Sequence, residues 1–191
     1  MKTMMSLEEQ LKMIMEDGLN LGYIENPFNE VQLIAVKQNG DAIQYIEDPS
    51  FEMQLEAIKS NVFSIAFIKN PSEEIQLAAV RRNGWTIRYI ENPSEQIQLE
   101  AIKQAGLIIQ FVENPTEEMK LEAVKSNGMA LEFIKNPTDE MKLEAIKQNV
   151  YAIEYIDNPT EEMKLLAIKS NGYVIKYIKN PTDEMIALSK Q

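Results

Sequence analysis

The eight prolines of the chain fall at one fixed interval of 22 residues, and no proline lies outside that register. A constant period of this length is the signature of a repeat architecture, in which each segment packs on its neighbours. The interval therefore constrains the fold more than any other feature of the sequence. The prolines are Pro27, Pro49, Pro71, Pro93, Pro115, Pro137, Pro159 and Pro181.

Each repeat begins with a pattern typical of an amphipathic α-helix. Counting the proline as position 1, position 7 is Leu, position 10 is Ile or Val, and position 9 is Ala except for Met13 in the first repeat. This three-and-four spacing predicts one buried helix face. Asn-Pro predicts the start, with Pro as the first helical residue and Asn as the cap, while Ser or Thr at position 2 is an alternative cap. We expect a helix of about 12 residues, roughly 18 Å long.

Asn-Gly at positions 13 and 14 predicts the end of this helix. Glycine tolerates the left-handed conformation that closes many helices. Val62 and Val150 replace the glycine in two repeats. Those turns are either harmless local variants or joints at which the curvature of the solenoid changes. The apolar phrase that follows, such as residues 152–156, lacks strict alternation and predicts a second, short helix of about two turns rather than a strand.

The sequence thus predicts an all-α fold, an α-solenoid of about eight 22-residue helix-turn-helix repeats plus a C-terminal capping helix. We expect one domain over residues 1–191, with an N-terminal capping repeat at 1–26, seven regular repeats at 27–180 and a capping helix at 181–191. Residues 1–5 are a methionine-rich lead-in that we expect to be frayed or folded over the first repeat.

Composition narrows the function classes. The chain has no His and no Cys, so the usual catalytic base, thiol nucleophile and zinc ligands are missing, and we expect no enzymatic activity, cofactor or metal. A net charge of −11 argues against binding to nucleic acid through phosphates. No apolar stretch is long enough for a membrane span or a signal peptide, and the lack of cysteine fits a cytoplasmic location.

The charged residues follow the same period. Glu122 with Lys125, and Glu144 with Lys147, have the spacing of helical ion pairs. Acidic residues at positions 3 and 4 recur at the start of the long helices. They form either an ordinary solvated face or an acidic edge that meets a basic partner or mimics nucleic acid.

Position 15, just after the turn, changes identity from repeat to repeat while staying mostly large and apolar. Such a ladder either packs over its neighbours or, where exposed, forms a binding surface. Its members are Leu19, Asp41, Phe63, Trp85, Leu107, Met129, Tyr151 and Tyr173, of which we single out Phe63, Leu107, Met129, Tyr151 and Tyr173 as binding candidates.

Residues 80–89 hold the only three arginines, Arg81, Arg82 and Arg88, and the only tryptophan, Trp85. Arginine grips carboxylates or phosphates with a planar fork, and Arg and Trp are enriched at interface hot spots. These four residues are therefore candidates for contact with an acidic partner or a small anionic ligand. The alternative is neutral replacement of lysine beside a packed indole.

Position 19 carries an aromatic residue in every repeat, and we expect this second ladder to belong to the core. Tyrosine and phenylalanine alternate there, so the hydroxyl is dispensable. The residues are Tyr23, Tyr45, Phe67, Tyr89, Phe111, Phe133, Tyr155 and Tyr177.

The phrase L-x-A-[IV]-K-x-N-G-x-A-[IL]-x-[YF], as in residues 121–133, resembles a family of short helical-hairpin repeats known as a domain of unknown function in large-virus and microbial proteins. The resemblance implies an all-helical repeat, favours a viral or phage origin, and supplies no activity or site residues.

These observations favour a protein–protein interaction scaffold, as a viral, phage or bacterial factor that binds and modulates a host protein. One alternative is a protein that binds or sequesters a small, nucleotide-like anion at the arginine cluster. A structural homo-oligomer that associates through the position-15 ladder is the third.

Overall fold

A computed structural model describes residues 5–191, so the expectation for the first four residues lies outside the described part of the chain. Every regular element in this part is helical, and no strand occurs in it. Ten-residue α-helices alternate with six-residue 3-10 helices, followed by a shorter last α-helix. The α-helices are α1 (Leu7–Glu16), α2 (Asn29–Gln38), α3 (Phe51–Ser60), α4 (Glu73–Arg82), α5 (Glu95–Gln104), α6 (Glu117–Ser126), α7 (Asp139–Gln148), α8 (Glu161–Ser170) and α9 (Asp183–Leu188).

Each short phrase after the turn forms a 3-10 helix, which confirms the prediction of helix over strand. The 3-10 helices are η1 (Gly18–Tyr23), η2 (Gly40–Tyr45), η3 (Val62–Phe67), η4 (Gly84–Tyr89), η5 (Gly106–Phe111), η6 (Gly128–Phe133), η7 (Val150–Tyr155) and η8 (Gly172–Tyr177). The predicted helical repeat and the final capping helix are therefore both present. The long helices are ten residues rather than about twelve, because their start was placed two residues too early.

The described chain forms two compact units, an N-terminal unit that ends at Ile97 and a C-terminal unit that begins at Gln98. The helices α1 to α4 pack side by side in the N-terminal unit, and α6 to α9 do so in the C-terminal unit. The 3-10 helices η1 to η3 and η5 to η7 each contact the next α-helix and the next 3-10 helix. Helix α9 packs on α8 and η8 in the same way. Each unit is thus a stack of two-helix repeats.

The core of each repeat comes from six positions. Positions 5, 9 and 10 of the α-helix, and positions 16, 17 and 20 of the 3-10 segment, are buried in nearly every repeat, as Met141, Ala145, Ile146, Ala152 and Ile153 illustrate in repeat 7. Burial of a side chain the size of Ile stabilises the fold by about 1.5–3 kcal/mol. Because these side chains face a neighbouring repeat, a single repeat cannot bury them alone.

The α-helices begin at position 3, and the cap is Ser or Thr at position 2, except in repeat 2, where Phe28 supplies no side-chain cap. Thr138, for example, accepts a hydrogen bond from the Met141 amide at 3.2 Å. Our placement of Pro as the first helical residue and Asn as the cap was wrong, because the Asn adopts another conformation. Five of these asparagines have φ near +50°, a left-handed geometry that Asn tolerates better than most residues. They are Asn26, Asn70, Asn92, Asn136 and Asn180.

The first repeat is capped differently from the others. Ser6 and Glu9 form a reciprocal capping box, in which the Ser6 amide donates to Glu9 Oε2 at 2.7 Å. This backbone hydrogen bond is the main reason that the pKa of Glu9 lies below its ordinary value. Gln10, one residue later, is fully buried, donates to the Met5 carbonyl and accepts from the Phe28 amide at 3.1 Å.

Candidate functional site

The turn glycines do not adopt the left-handed conformation that we predicted for them, since no glycine in the described residues has a positive φ. The preceding Asn is instead extended, and its side chain caps the 3-10 helix. Asn127 Oδ1, for example, accepts from the Met129 amide at 3.0 Å. Asparagine at position 13 thus ends one helix and starts the next.

Glycine is needed at position 14 because the following repeat comes very close. A Cβ atom on Gly40 would lie 2.5 Å from the Ala57 carbonyl oxygen, closer than real Cβ contacts allow. The Gly40 amide also donates to Ser60 Oγ of the next helix at 3.0 Å. Where Val62 and Val150 replace the glycine, the next α-helix and the next 3-10 helix pack less closely on the 3-10 helix. The two valines therefore mark looser joints rather than strained turns.

The position-19 aromatics are not core residues, contrary to our expectation. Six of them are exposed, from 37% for Phe133 to 79% for Tyr23, and Tyr155 and Tyr177 are half-buried. A 3-10 helix has three residues per turn, so positions 17 and 20 lie on the same, buried side and position 19 is left at the surface. Apolar composition suggested the core, but the type of helix decides which face these rings occupy.

The position-15 ladder is partly exposed. Phe63, Tyr151 and Tyr173 are exposed, and Leu19, Trp85, Leu107 and Met129 are half-buried. Asp41, the acidic member, is half-buried and accepts from Asn61 Nδ2 at 2.9 Å and Ser64 Oγ at 2.7 Å. It therefore satisfies a buried hydroxyl of the next repeat.

The two ladders meet at the joints that follow a valine. The Phe63 ring lies edge-on to Tyr89 of the next repeat, with ring centroids 6.3 Å apart, and Tyr151 and Tyr177 form an equivalent pair at 6.5 Å. Such edge-to-face pairs are favourable beyond the area they bury. We call the exposed or half-buried rings at positions 15 and 19 of each unit the aromatic edge. They are Tyr23, Tyr45, Phe63, Phe67, Trp85 and Tyr89 in the N-terminal unit, and Phe111, Phe133, Tyr151, Tyr155, Tyr173 and Tyr177 in the C-terminal unit.

The arginine cluster is spread over two elements. Arg81 and Arg82 are exposed at the end of α4, and Arg88 is exposed on η4. Trp85 and Arg88 lie three residues apart on a 3-10 helix and therefore share a side of it. Arg82 Nη2 donates to the Lys59 carbonyl at 3.1 Å, so that guanidinium caps the end of α3.

Ion pairs line the α-helices at i and i+3. The two predicted pairs are confirmed, with Nζ–Oε distances of 2.9 Å for Glu122–Lys125 and 3.4 Å for Glu144–Lys147. The hydrogen bond that Lys125 donates to the Glu122 carboxylate is the main reason that the pKa of Lys125 is raised. Lys120, Lys142 and Lys164 at position 6 pair with the acid at position 3, whereas Gln at position 6 of repeats 2 to 4 donates to the proline carbonyl.

Comparison with known proteins gives one match. The model of a domain of unknown function, DUF4116, matches residues 116–164, from position 2 of repeat 6 to position 6 of repeat 8. That part of the chain is therefore similar to a family of unknown function, as the sequence led us to expect. No curated protein and no solved structure matches the chain. None of the helices within residues 5–191 is long and apolar enough to cross a bilayer.

Proposed function

We propose that this protein is a protein-binding scaffold and that its contact surface is the aromatic edge. The observation that carries the proposal is the exposure of aromatic rings at the same positions in successive repeats. Exposed apolar surface of this kind marks interaction sites, and aromatic residues are enriched in the centres of protein interfaces. The rings lie on short helices anchored by buried neighbours, so they are held in place before a partner arrives.

The amount of sequence variation along the edge fits such a role. Position 19 is Tyr or Phe, and position 15 ranges from Asp41 to Trp85, while the buried positions 9, 10, 17 and 20 stay nearly constant. Variable side chains on a constant scaffold set specificity, and a few of them supply most of the binding free energy.

Affinity capture tests the proposal. Wild-type protein and the variant Tyr45→Ser/Phe67→Ser/Tyr89→Ser are used as baits in an extract of the source organism, and the captured proteins are quantified by mass spectrometry. We expect a specific partner to be lost with the triple variant. Single replacements of a central ring should cost about 2 kcal/mol of binding.

The matched control is Phe28→Ser/Phe51→Ser. Both phenylalanines are exposed to a similar degree but lie at the starts of α-helices rather than on the aromatic edge. Circular dichroism confirms that the baits are folded. Identical capture by wild type and the triple variant would show that the edge is not the contact surface.

A further inference from the structure

Clefts open between neighbouring position-19 rings. In the N-terminal unit, a cleft of about 560 Å³ lies between Tyr45 and Phe67, and its lining includes Glu47, Asp48 and Lys69. The next cleft, of about 630 Å³, lies between Phe67 and Tyr89 and has Lys69 and Glu91 in its lining. Clefts of this size accept a side chain of a partner rather than a whole element.

The cleft at Tyr45 carries an excess of negative charge. Glu47 and Asp48 face a single cation, Lys69, whereas the cleft at Tyr89 has one group of each sign. Within residues 5–191, neither Glu47 nor Asp48 forms an ion pair with another side chain. The amide of Gln54, also in the lining, already donates to the Pro49 carbonyl at 2.9 Å. The two carboxylates can therefore accept hydrogen bonds from a ligand, and they outnumber Lys69, the one cation in the lining.

A cleft of the C-terminal unit also has two carboxylates in its lining, but one of them already has a neighbour. The lining includes Glu132, Lys142, Tyr155 and Asp157, and Lys142 pairs with Asp139, which is outside the lining, at 2.8 Å. Burial raises the pKa of the Tyr155 hydroxyl, and the neighbouring Glu132 carboxylate raises it further. Glu132 thus already interacts with that ring.

The aromatic walls suit a cation as well. Lys176 Nζ lies 4.7 Å from the ring centroid of Tyr177, so one position-19 ring already holds a positive group on its face. Tyr45 is 46% exposed and offers the same kind of face beside two carboxylates. Arginine fits this combination best, because its planar guanidinium stacks on a ring while its N–H fork meets carboxylates.

We propose that the cleft between Tyr45 and Phe67 binds an arginine side chain of an extended, basic segment of the partner protein. The ring of Tyr45 contacts the guanidinium face, and Glu47 and Asp48 accept its hydrogen bonds. This inference rests on the proposed function and adds the chemistry of the partner to it.

The test uses the full-length protein, labelled with ¹⁵N, and a decapeptide of alternating Arg and Ser as the probe. Backbone amide shifts of residues 44–48 in two-dimensional NMR give the dissociation constant at this cleft alone. We expect Tyr45→Ala to weaken binding at least about fivefold, and Glu47→Gln/Asp48→Asn by at least as much. The other repeats carry Asn at the position of Asp48, so the double variant preserves the junction.

Two controls separate this site from general attraction to an acidic chain. Glu30→Gln/Glu52→Gln removes the same charge from exposed helix starts, and Phe51→Ala removes a ring that is 44% exposed outside the cleft. Binding should stay within about twofold in both. Equal loss in the controls, or shifts confined to other residues, would overturn the inference.

A decapeptide of alternating Leu and Ser distinguishes the inference from the proposed function. If that uncharged peptide binds in a Tyr45-dependent way and the basic peptide does not, the partner chemistry is wrong while the aromatic edge remains a protein-binding surface. If neither peptide binds in a Tyr45-dependent way and capture does not depend on Tyr45, Phe67 and Tyr89, the proposed function fails as well.

Discussion

Glycine at position 14 shows how one residue sets the spacing between repeats. The Gly40 backbone has no left-handed φ, so an alanine could adopt the same conformation. What it could not do is place a Cβ atom 2.5 Å from the Ala57 carbonyl and 2.7 Å from Ser64 Oγ. The constraint comes from the neighbouring repeat rather than from the turn itself.

Gly40→Ala is therefore expected to destabilise the fold by about 1–3 kcal/mol, because the next repeat must shift outward. Urea denaturation followed by circular dichroism measures the change. Val62→Ala, at the same position of a looser joint, should cost less, about 0.5–1 kcal/mol. Equal effects at the two positions would contradict the close-approach explanation.

The ion pair of α3 gives a pH-dependent prediction. Lys59 Nζ lies 2.6 Å from Glu56 Oε1, and this hydrogen bond is the main cause that lowers the pKa of Glu56. Because the folded-state pKa is below the unfolded value, the pair stabilises the folded chain above about pH 5, and the contribution disappears as the pH falls through the folded-state pKa.

Glu56→Gln should accordingly lower the melting temperature slightly at pH 7, and this difference should vanish as the pH falls through the lowered folded-state pKa of Glu56 and the carboxyl becomes protonated in both states. Differential scanning fluorimetry across this range measures the difference. Glu47→Gln, with the same charge change outside any ion pair, is the control. If the melting temperature of Glu56→Gln stayed below that of the wild type in acid, the effect would come from packing instead of charge.

At the level of elements, the joints are unequal. Helices α4 and α8, which follow Val62 and Val150, pack less closely on the preceding 3-10 helix than the ten-residue helices α2, α3, α6 and α7, which follow a glycine. An aromatic pair spans each of these joints and covers part of the space. Local opening should therefore begin there.

We expect the amides of α4 to exchange with solvent about tenfold faster than those of α3, and the amides of α8 faster than those of α7. Hydrogen exchange read by mass spectrometry gives both ratios. The comparison of α4 with α3 is the more decisive one, because α8 also lies next to the last, shorter helix. Uniform protection across α3 and α4 would show that the valine joints are as stable as the others.

The elements were predictable because one periodic pattern specifies them. The apolar spacing identified the long helices, although their length was overestimated by two residues, and the absence of alternation identified the short helices. The starting residue was misplaced because Asn-Pro and Thr are both plausible starts, and only the geometry of Asn136 and Thr138 separates them. The need for glycine and the exposure of position 19 were missed because they depend on the neighbouring repeat and on the 3-10 geometry.

For the candidate site, the sequence identified the position-15 rings but not their partners at position 19. Phe63 and Tyr151 were singled out, and the structure places each against a ring of the next repeat. No sequence pattern distinguished the acidic cleft at Tyr45, because Glu47 and Asp48 resemble the many other carboxylates of the chain. Their role depends on the cleft that they line.

At the scale of the whole molecule, charge is the dominant property. The chain has 30 acidic and 19 basic side chains, so its net charge of −11 would remain even if every basic side chain formed an ion pair. Excess charge of one sign repels itself and disfavours the compact state. Added salt screens both attraction and repulsion, and here the repulsion is larger.

The melting temperature should thus rise by several degrees between about 0.02 M and 0.3 M sodium chloride. Scanning calorimetry at fixed pH measures it. The variant Glu30→Gln/Glu52→Gln, with net charge reduced in magnitude from −11 to −9 by two neutralised carboxylates, should respond less steeply. A melting temperature that falls with salt would mean that the ion pairs outweigh the repulsion.

The position of the single indole has a practical consequence for spectroscopy. Trp85 is half-buried in the N-terminal unit, and residues 98–191 contain no tryptophan. Its fluorescence emission during a denaturant titration therefore reports on one half of the chain, while ellipticity at 222 nm averages over both. Comparing the two midpoints turns a single native fluorophore into a measure of whether the halves melt together.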